Sequence, residues 1–268
     1  MDNRLVQFER LLNIMDDLRE KCPWDKKQTL DSLRHLTIEE TYELCDAILE
    51  NDMDELKGEI GDLMLHLVFY SKIASEKKAF DIADVLEFVC EKLIRRHPHI
   101  YEDTVADTED DVKANWEKIK LTEKGKDGVE KTVLQGVPKS LPALVKAIRI
   151  QDKVKGIGFD WDNKEQAWGK VQEEIKEFQL EEEKQDQEKM EQEFGDILFS
   201  IVNYARFVGI NPEDALEKTN KKFLKRFTGM EIDLKAKGKD MKNMSLAEMS
   251  EFWEIAKKKQ SNKDLKEF

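Results

Sequence analysis

An acidic pattern occurs twice in this chain, and its second copy follows the first at a constant distance of 134 positions. The first copy is EETYE at residues 39–43 with GEIGD at 58–62, and the second is EEIKE at 173–177 with EFGD at 193–196. An apolar segment follows each copy. Self-similarity at a fixed offset is the signature of a repeat architecture. The sequence therefore predicts an internal duplication and two related units.

Each copy predicts two pairs of carboxylates on adjacent helices. Residues three or four positions apart share one face of a helix, so Glu40 lies beside Glu43 and Glu59 lies beside Asp62. Turn-forming and N-capping residues at 51–54 predict that the chain folds back between the pairs as a helical hairpin. Each pair lies a similar distance along its helix from the turn, so the two pairs come to the same level. We expect four carboxylates to meet there.

Two glycines interrupt these predicted helices at matching places, Gly61 and Gly195. A glycine inside a helix costs about 1 kcal/mol relative to alanine. We expect something to pack closely against the backbone at both positions.

Helical periodicity of apolar residues extends along most of the chain, and no segment shows the alternation typical of a strand. The predicted class is all-α, with domains at 1–124 and 140–268. The linker between them, 125–139, is rich in glycine and proline. The acidic segment before Trp116 is predicted to open a further helix. The other predicted helices cover approximately residues 4–20, 29–50, 54–77, a segment ending near Arg96, 140–155, 165–184, 188–209, a segment beginning at Asn211-Pro212, and 246–259. The charged run EEEKQDQEK at 181–189 leaves open that one of the two helices on either side of it continues through the run.

The bulk composition excludes some function classes. The net charge of -13 argues against binding duplex nucleic acid, which requires a basic surface. The N-terminal segment lacks the apolar run of a signal peptide, and no apolar run approaches the roughly 20 residues that span a bilayer. Three widely spaced cysteines suggest reduced thiols. We expect a cytoplasmic protein that does not contact a membrane.

Four carboxylates brought together repel one another unless a cation lies among them. Carboxylate oxygens suit Mg²⁺ or Mn²⁺, which also bind substrate phosphates. Acidic residues on exposed helix faces are common without any metal. The duplication of the whole pattern at matched spacing favours the metal-site interpretation.

Basic and aromatic residues supply candidates for nucleotide contacts. Lys222 and Arg226 lie four positions apart on one helix face, as Lys92 and Arg96 do in the first repeat. Such residues either bind phosphate or simply end a helix in solvent. Trp253 either stacks on a base or fills a core, and composition alone favours the core.

The two repeats differ in their lysines. Lys170 lies one helical turn before Glu174, and Lys189 lies one turn before Glu193, so both ammonium groups can face the acidic site. The corresponding residues of the first repeat are Leu36 and Glu55. The second repeat is therefore the better candidate for a polyphosphate site.

Taken together, these motifs resemble the MazG family of tandem-domain nucleoside triphosphate pyrophosphohydrolases. The resemblance also includes CPWD at 22–25, GFDWD at 158–162 and RRHPH at 95–99, and it covers nearly the whole chain. It implies four-helix units that associate as homodimers, and Mg²⁺-dependent hydrolysis of NTPs, including dNTPs, to NMP and pyrophosphate. A role in nucleotide-pool control is the corresponding expectation.

The resemblance also implies residue roles. The metal ligands are expected at Glu174, Glu177, Glu193 and Asp196, and the first-repeat cluster is expected at Glu40, Glu43, Glu59 and Asp62. Lys222 and Arg226 are expected to stabilise the charge of the leaving group, and Glu173 is an outer-shell residue or base. The expected nucleotide contacts are Lys170, Glu173, Lys189, Lys222, Arg226 and Trp253.

Two other functions remain open at the level of sequence. Carboxylate-rich helical bundles also hold two irons, but those sites use Glu-x-x-His on two helices. Here His66 follows Asp62 by four positions, and Ser200 replaces it in the second repeat. The second alternative is a duplicated helical assembly or nucleotide-binding module whose acids only increase solubility.

Overall fold

The computed structural model describes residues 2–102 and 132–264, together with 104, 106, 108, 111, 112, 115, 116 and 119, and it describes side chains as far as residue 260. The chain divides into two compact units, 1–131 and 132–268. Because the described residues form helices and turns without a strand, the predicted all-α class is confirmed. Of the linker predicted at 125–139, residues 132–139 are described and form turns without helix, while 125–131 lie outside the described residues. The described residues around Trp116, which are 111, 112, 115, 116 and 119, are helical, and the rest of that predicted helix lies outside the described residues.

Residues 2–102 of the N-terminal unit form four long α-helices and one short α-helix, with a 3-10 helix at Asp25–Lys27. A capping box begins the second long helix, because the Thr29 side chain accepts from the Ser32 N–H while the Ser32 hydroxyl accepts from the Thr29 N–H. The helices are α1 (Asn3–Lys21), α2 (Leu30–Glu50), α3 (Met53–Glu76), α4 (Ile82–Arg96) and α5 (Pro98–Tyr101).

The predicted hairpin joins α2 to α3 through a two-residue turn. Asn51 ends α2 in the left-handed conformation, with φ of 55°, which asparagine tolerates better than most residues. Asp52 then caps α3, since its side chain accepts hydrogen bonds from the N–H groups of Asp54 and Glu55. The tight turn holds the acidic segments of α2 and α3 side by side.

The core of the N-terminal unit lies where α1, α2 and α3 meet. Leu33 and Met15 are its most buried large side chains, and Val68, Phe69 and Ile73 of α3 pack with them. Apolar residues at positions 68, 69 and 73 cover one side of α3. This leaves the N-terminal half of α3 to carry the acids.

The C-terminal unit repeats the hairpin. Asn163 caps the first hairpin helix, Gln185 ends it with φ of 58°, and Asp186 caps the second. Gln185 therefore takes the place of Asn51, and Asp186 the place of Asp52. The helices of this unit are α6 (Ala143–Lys155), α7 (Lys164–Lys184), α8 (Gln187–Phe207), α9 (Pro212–Ala236) and α10 (Leu246–Asp264).

A separate apolar cluster joins α9 to α10. Met230, Leu234 and Ala256 are buried, and Phe227 and Trp253 are among the partly buried side chains packed against them. The periodic apolar residues of α9 and α10 thus form a small core of their own. No helix among the described residues combines the length and apolar composition that crossing a bilayer requires.

The described part of the chain does not itself supply the close packing predicted at the two helix glycines. A Cβ atom added at Gly61 or Gly195 would meet nothing within 4 Å. Both residues lie on exposed faces, Gly61 on α3 and Gly195 on α8. The sequence locates these glycines correctly inside helices but does not reveal which face of each helix the rest of the unit covers.

Candidate active site

The first group of acids, here called the N-terminal cluster, consists of Glu40, Glu43 and Glu59. One carboxylate oxygen from each lies within 4.8 Å of the others. Glu40 and Glu43 come from α2, and Glu59 comes from α3 across the hairpin. Glu59 is only 7% exposed. Its Oε2 atom is buried and has no hydrogen-bond partner among the described residues.

The second group, here called the C-terminal cluster, consists of Glu174 and Glu177 of α7 with Glu193 of α8. Their carboxylate oxygens also lie within 4.8 Å of one another. The buried member here is Glu174, which is 5% exposed and belongs to the first helix of its hairpin. The two hairpins thus bring equivalent acids together but bury different ones.

Lys170 is the clearest difference between the clusters. Its Nζ atom lies 2.8 Å from Glu174 Oε1 and 2.8 Å from Glu173 Oε1. These two hydrogen bonds raise the pKa of Lys170, so its ammonium group is retained at any physiological pH. The corresponding residue of the N-terminal unit is Leu36, which carries no charge.

Burial and neighbouring charges raise the pKa of several carboxyl groups in the two clusters. Burial raises the pKa of Glu59, and the charges of Glu43 and Glu40 raise it further. Burial also raises the pKa of Glu40. In the C-terminal cluster, burial and the charge of Glu174 raise the pKa of Glu177, but Lys170 opposes this change. Like charges held together disfavour ionisation, and a neighbouring ammonium group relieves the effect.

The fourth predicted acid of each set is not among the three whose oxygens converge. Asp62 lies close enough for its charge to raise the pKa of Glu40. Asp196 is exposed on α8, one turn after Glu193. Within the described residues, each hairpin therefore brings three of the four predicted carboxylates within 4.8 Å.

Lys189 contacts acids other than the one predicted from helix spacing. Its Nζ atom lies 3.6 Å from Asp186 Oδ2 and 4.0 Å from Glu181 Oε2. Glu181 also pairs with Lys184 at 2.6 Å, and its side chain is largely buried. The acidic pattern does not single out Glu181, because this residue lies in a run of charges at the hairpin turn. Its spacing of three residues from Lys184 is the signal that predicts the pair.

The remaining predicted nucleotide contacts lie on α9 and α10. Arg226 Nε donates to Gln260 Oε1 at 2.7 Å, which ties the two helices together. Trp253 packs against the α9–α10 core, and its ring centroid lies 5.0 Å from that of Phe223. Lys222 is exposed on α9. Arg226 lines an open cavity of about 230 Å³ between the helices, together with Lys225, Gly229, Ile232, Asp233, Ala256, Lys259 and Gln260.

The donor sets fit a hard divalent cation. Oxygen ligands lie about 2.0–2.6 Å from Mg²⁺ or Ca²⁺, so two oxygens on one ion are separated by no more than about 4–5 Å. The carboxylate oxygens of both clusters lie within 4.8 Å of one another, at the upper end of that range. His66 is buried, but its ring is not part of the group around Glu59. The carboxylate–histidine pairing of a di-iron centre is therefore not formed in the described hairpin.

Comparison with known proteins finds both repeats in one family. The profile of the MazG nucleotide pyrophosphohydrolase domain matches residues 28–101 and again residues 163–228. A protein of Escherichia coli (strain K12) named nucleoside triphosphate pyrophosphohydrolase is 42% identical over 259 residues, which cover 95% of this chain and 98% of that protein. A Thermotoga maritima protein named nucleoside triphosphate pyrophosphohydrolase/pyrophosphatase MazG is 42% identical, over 94% of this chain and 96% of its own length.

Proposed function

This chain belongs to the MazG family and is a nucleoside triphosphate pyrophosphohydrolase, and we propose that hydrolysis takes place at its C-terminal cluster. Water attacks the α-phosphorus, and the products are the nucleoside monophosphate and pyrophosphate. ATP and the other common NTPs are the proposed substrates. The proposal includes dNTPs, because cleavage at the α-phosphorus does not involve the sugar 2′-hydroxyl.

The observation that carries this assignment is the position of Lys170. Its ammonium group contacts Glu174 at 2.8 Å, at the edge of a three-carboxylate cluster. A triphosphate needs positive charge beside the metal ligands, and an ammonium group held at this place supplies it. The N-terminal cluster has Leu36 instead.

Mg²⁺ is the proposed metal, with Mn²⁺ as a substitute, held by Glu174, Glu177, Glu193 and Asp196. When bound, it neutralises triphosphate charge and makes a nearby water more acidic. The raised pKa of Glu177 supports a cation here, because positive charge at the cluster would favour ionisation of this carboxyl group.

The chain's own residues orient the substrate. Glu173 and Glu174 hold the Lys170 ammonium group between them, so it can turn from the acids to an incoming phosphate oxygen without leaving the site. We assign Glu173 this positioning role. Lys189 is a further proposed phosphate contact. To bind the substrate, its ammonium group would leave Asp186 and Glu181 at the hairpin turn.

The basic residues of α9 are assigned to the leaving group. Lys222 and Arg226 lie one helical turn apart and would stabilise the negative charge that develops on pyrophosphate. The Nε hydrogen bond of Arg226 to Gln260 fixes the arginine side chain against α10. Trp253 lies partly exposed on α10. We propose that the exposed face of its ring stacks on the nucleotide base.

We propose that the chain acts as a homodimer. Ile60, Met64 and Leu67 form an exposed apolar stripe on α3 beside Gly61, at helical spacing. Phe194, Leu198 and Ile201 form the same stripe on α8 beside Gly195. A second copy packing on these stripes would bury them and approach the open glycines. Sedimentation of Leu198→Glu as a monomer beside a dimeric wild type would support this; a monomeric wild type would exclude it.

We also propose a cytoplasmic role in nucleotide-pool control. The free state of Cys22, Cys45 and Cys90 is consistent with a reducing compartment. NTP substrates are intracellular molecules, and hydrolysis to the monophosphate removes them from the pool.

Product analysis tests the proposed reaction. The purified protein is incubated with each common NTP and Mg²⁺, and NMP, NDP, phosphate and pyrophosphate are resolved. We expect NMP and pyrophosphate in equal amounts. Formation of NDP and phosphate would mean that another bond is cleaved, and absence of turnover with every NTP would refute the assignment.

A further inference from the structure

A cavity lies at the same place in both repeats. The N-terminal cavity, of about 260 Å³, lies among α1, α3 and the start of α4. The C-terminal cavity, of about 300 Å³, lies among α6, α8 and the start of α9. Three pairs of lining residues correspond between them: Met15 with Gln151, Asp16 with Asp152, and Lys72 with Arg206. The duplication thus includes the cavity.

The C-terminal cavity is separate from the acidic cluster of its unit. Arg206 lines the cavity and follows Glu193 by 13 residues on the same helix, α8. At about 1.5 Å per residue, this is about 20 Å of helix. A molecule in the cavity therefore does not contact the carboxylates that are proposed to hold the metal.

The polar groups of the N-terminal cavity have partners within the protein. Lys72 Nζ pairs with Asp16 Oδ1 at 2.6 Å across the cavity. The Ser75 hydroxyl donates to the Lys72 carbonyl oxygen at 2.8 Å. Met15, which is 1% exposed, contributes an apolar side chain. This cavity is the matched comparison for its C-terminal counterpart.

Gln151 changes the chemistry of the C-terminal cavity. It stands where the N-terminal cavity has Met15, and it is only 4% exposed. Its Nε2 atom donates to the Phe199 carbonyl oxygen at 2.8 Å, which fixes the orientation of the amide. Its Oε1 atom is buried and has no hydrogen-bond partner among the described residues. A buried oxygen of this kind favours a ligand that donates a hydrogen bond.

Arg206 supplies the opposite group. Its Nη1 atom donates to Asp160 Oδ2 at 2.8 Å, and its Nη2 atom donates to Asp160 Oδ1 and, at 2.7 Å, to Asn203 Oδ1. The ion pair with Asp160 balances the charge of the guanidinium group. The Nε atom is buried and has no partner within the described part of the chain. Arg206 thus offers one N–H donor in a neutral setting.

The rest of the cavity restricts the ligand further. Ile148, Val202 and Pro212 give it apolar walls, which suit a flat aromatic ring. Asp152 lies exposed on the wall and repels a phosphate group. The ligand that fits is neutral and aromatic, with one hydrogen-bond donor and one acceptor.

We propose that the C-terminal cavity is a second small-molecule site, which binds a neutral nucleoside whose base carries an amino group and an unprotonated ring nitrogen, as in cytidine or adenosine. The amino group donates to Gln151 Oε1, and the ring nitrogen accepts from Arg206 Nε. Both protein atoms are closed to solvent, so binding includes a small side-chain adjustment. This site lies outside the proposed catalytic site and does not rest on the proposed function.

Calorimetric titration of the full chain with cytidine, in chelator and without metal, tests the proposal. We expect one saturable site per chain. Uridine is the matched ligand, because its base has a carbonyl group in place of the amino group and an N–H in place of the accepting nitrogen. It should bind at least about tenfold more weakly, since both buried protein groups would then face groups of their own kind. CMP should also bind more weakly than cytidine, because Asp152 repels its phosphate.

Two substitutions introduce the residues of the N-terminal cavity. Gln151→Met removes the amide oxygen, and Arg206→Lys keeps the charge beside Asp160 but removes the Nε donor. Each should weaken cytidine binding about tenfold. Lys72→Arg, in the other cavity, should leave the affinity within about twofold. Circular dichroism checks the folding of each variant, and the comparison of cytidine with uridine in the wild type needs no variant at all.

A further variant distinguishes the cavity from the proposed catalytic site. Trp253→Leu removes the ring proposed to stack on the base of the substrate and should leave cytidine binding within about twofold. Loss of binding in Trp253→Leu but not in Gln151→Met would place cytidine in the catalytic site and overturn the proposal. Absence of saturable binding to the wild type, equal affinities for cytidine and uridine, or tighter binding of CMP would also overturn it.

Discussion

The two acidic hairpins share a backbone plan but differ in their charge. In the C-terminal hairpin, Lys170 contacts Glu173 and Glu174, so positive charge is built into the site. In the N-terminal hairpin, the corresponding residue is Leu36, and the buried Glu59 carries an unpartnered oxygen. Both hairpins gather three carboxylates, and we propose that only the C-terminal one receives a polyphosphate. The residue at this position, lysine in one hairpin and leucine in the other, is the clearest difference between the two acidic clusters.

The largest expected difference between the hairpins is in turnover. Glu174→Gln removes a proposed ligand and should lower kcat by on the order of a thousandfold, comparable to loss of a strong electrostatic contact in other active sites. Glu40→Gln is the matched substitution, and its effect should stay below about tenfold. Steady-state assays of pyrophosphate release measure both. Equal losses in the two variants would remove the distinction between the hairpins.

The second prediction concerns the lysine. Lys170→Leu gives the C-terminal hairpin the residue of the N-terminal one. Loss of a hydrogen bond from a charged group costs about 1.5–3 kcal/mol, so KM for NTP should rise roughly 10- to 150-fold. Lys170→Arg, which keeps the charge, should recover part of the loss. An unchanged KM in Lys170→Leu would show that this ammonium group does not contact substrate.

The third prediction concerns the α9–α10 core of the C-terminal unit. Trp253→Ala removes a ring that packs on Phe223 and on the buried residues of α9, and it should lower the free energy of unfolding by about 2–3 kcal/mol. Trp253→Phe should recover most of that stability in thermal melts. A rise in KM that persists in Trp253→Phe would report the proposed contact with the base. An unchanged melting temperature in Trp253→Ala would contradict the packing of this ring against α9.

The smallest expected effect is a difference in pH dependence. A raised carboxyl pKa means that the folded protein binds protons more readily than the unfolded chain. Stability therefore falls as pH rises from the ordinary value of 4.5 through the raised pKa values of Glu40 and Glu59. Glu59→Gln should flatten this decline and melt slightly higher than the wild type at neutral pH, without metal.

Glu177→Gln gives the comparison for the pH effect in the C-terminal hairpin, because burial raises the pKa of Glu177 in that cluster. Lys170 already opposes the raised pKa of Glu177, so its substitution should change the melting profile less than Glu59→Gln does. Thermal melts in chelator across this pH range measure both variants. A larger change in Glu177→Gln would mean that the C-terminal cluster is the more strained of the two.

The sequence predicts the hairpins well because local residues determine them. Asp52 and Asp186 cap the second helix of each hairpin, while Asn51 and Gln185 adopt the left-handed turn before it. Periodic apolar residues then decide where each helix lies. These signals act over a few residues, so they can be read without knowledge of the tertiary structure.

Details of the site depend on side-chain geometry that spacing alone does not determine. Lys189 was expected to face Glu193, but its flexible side chain lies near Asp186 and Glu181 at the hairpin turn. Asp62 and Asp196 share a helix with the converging acids without joining their group. The open surroundings of Gly61 show the same limit, because a mid-helix glycine does not identify which neighbour approaches it.

The number of nucleotides bound per chain tests the division between the hairpins most directly. The ligand is an α,β-methylene NTP with Mg²⁺, which resists cleavage at the proposed bond, and calorimetry gives its stoichiometry. We predict one nucleotide per chain, lost in Glu193→Gln and retained in Glu59→Gln. Two nucleotides per chain, or loss of binding in Glu59→Gln alone, would contradict the account.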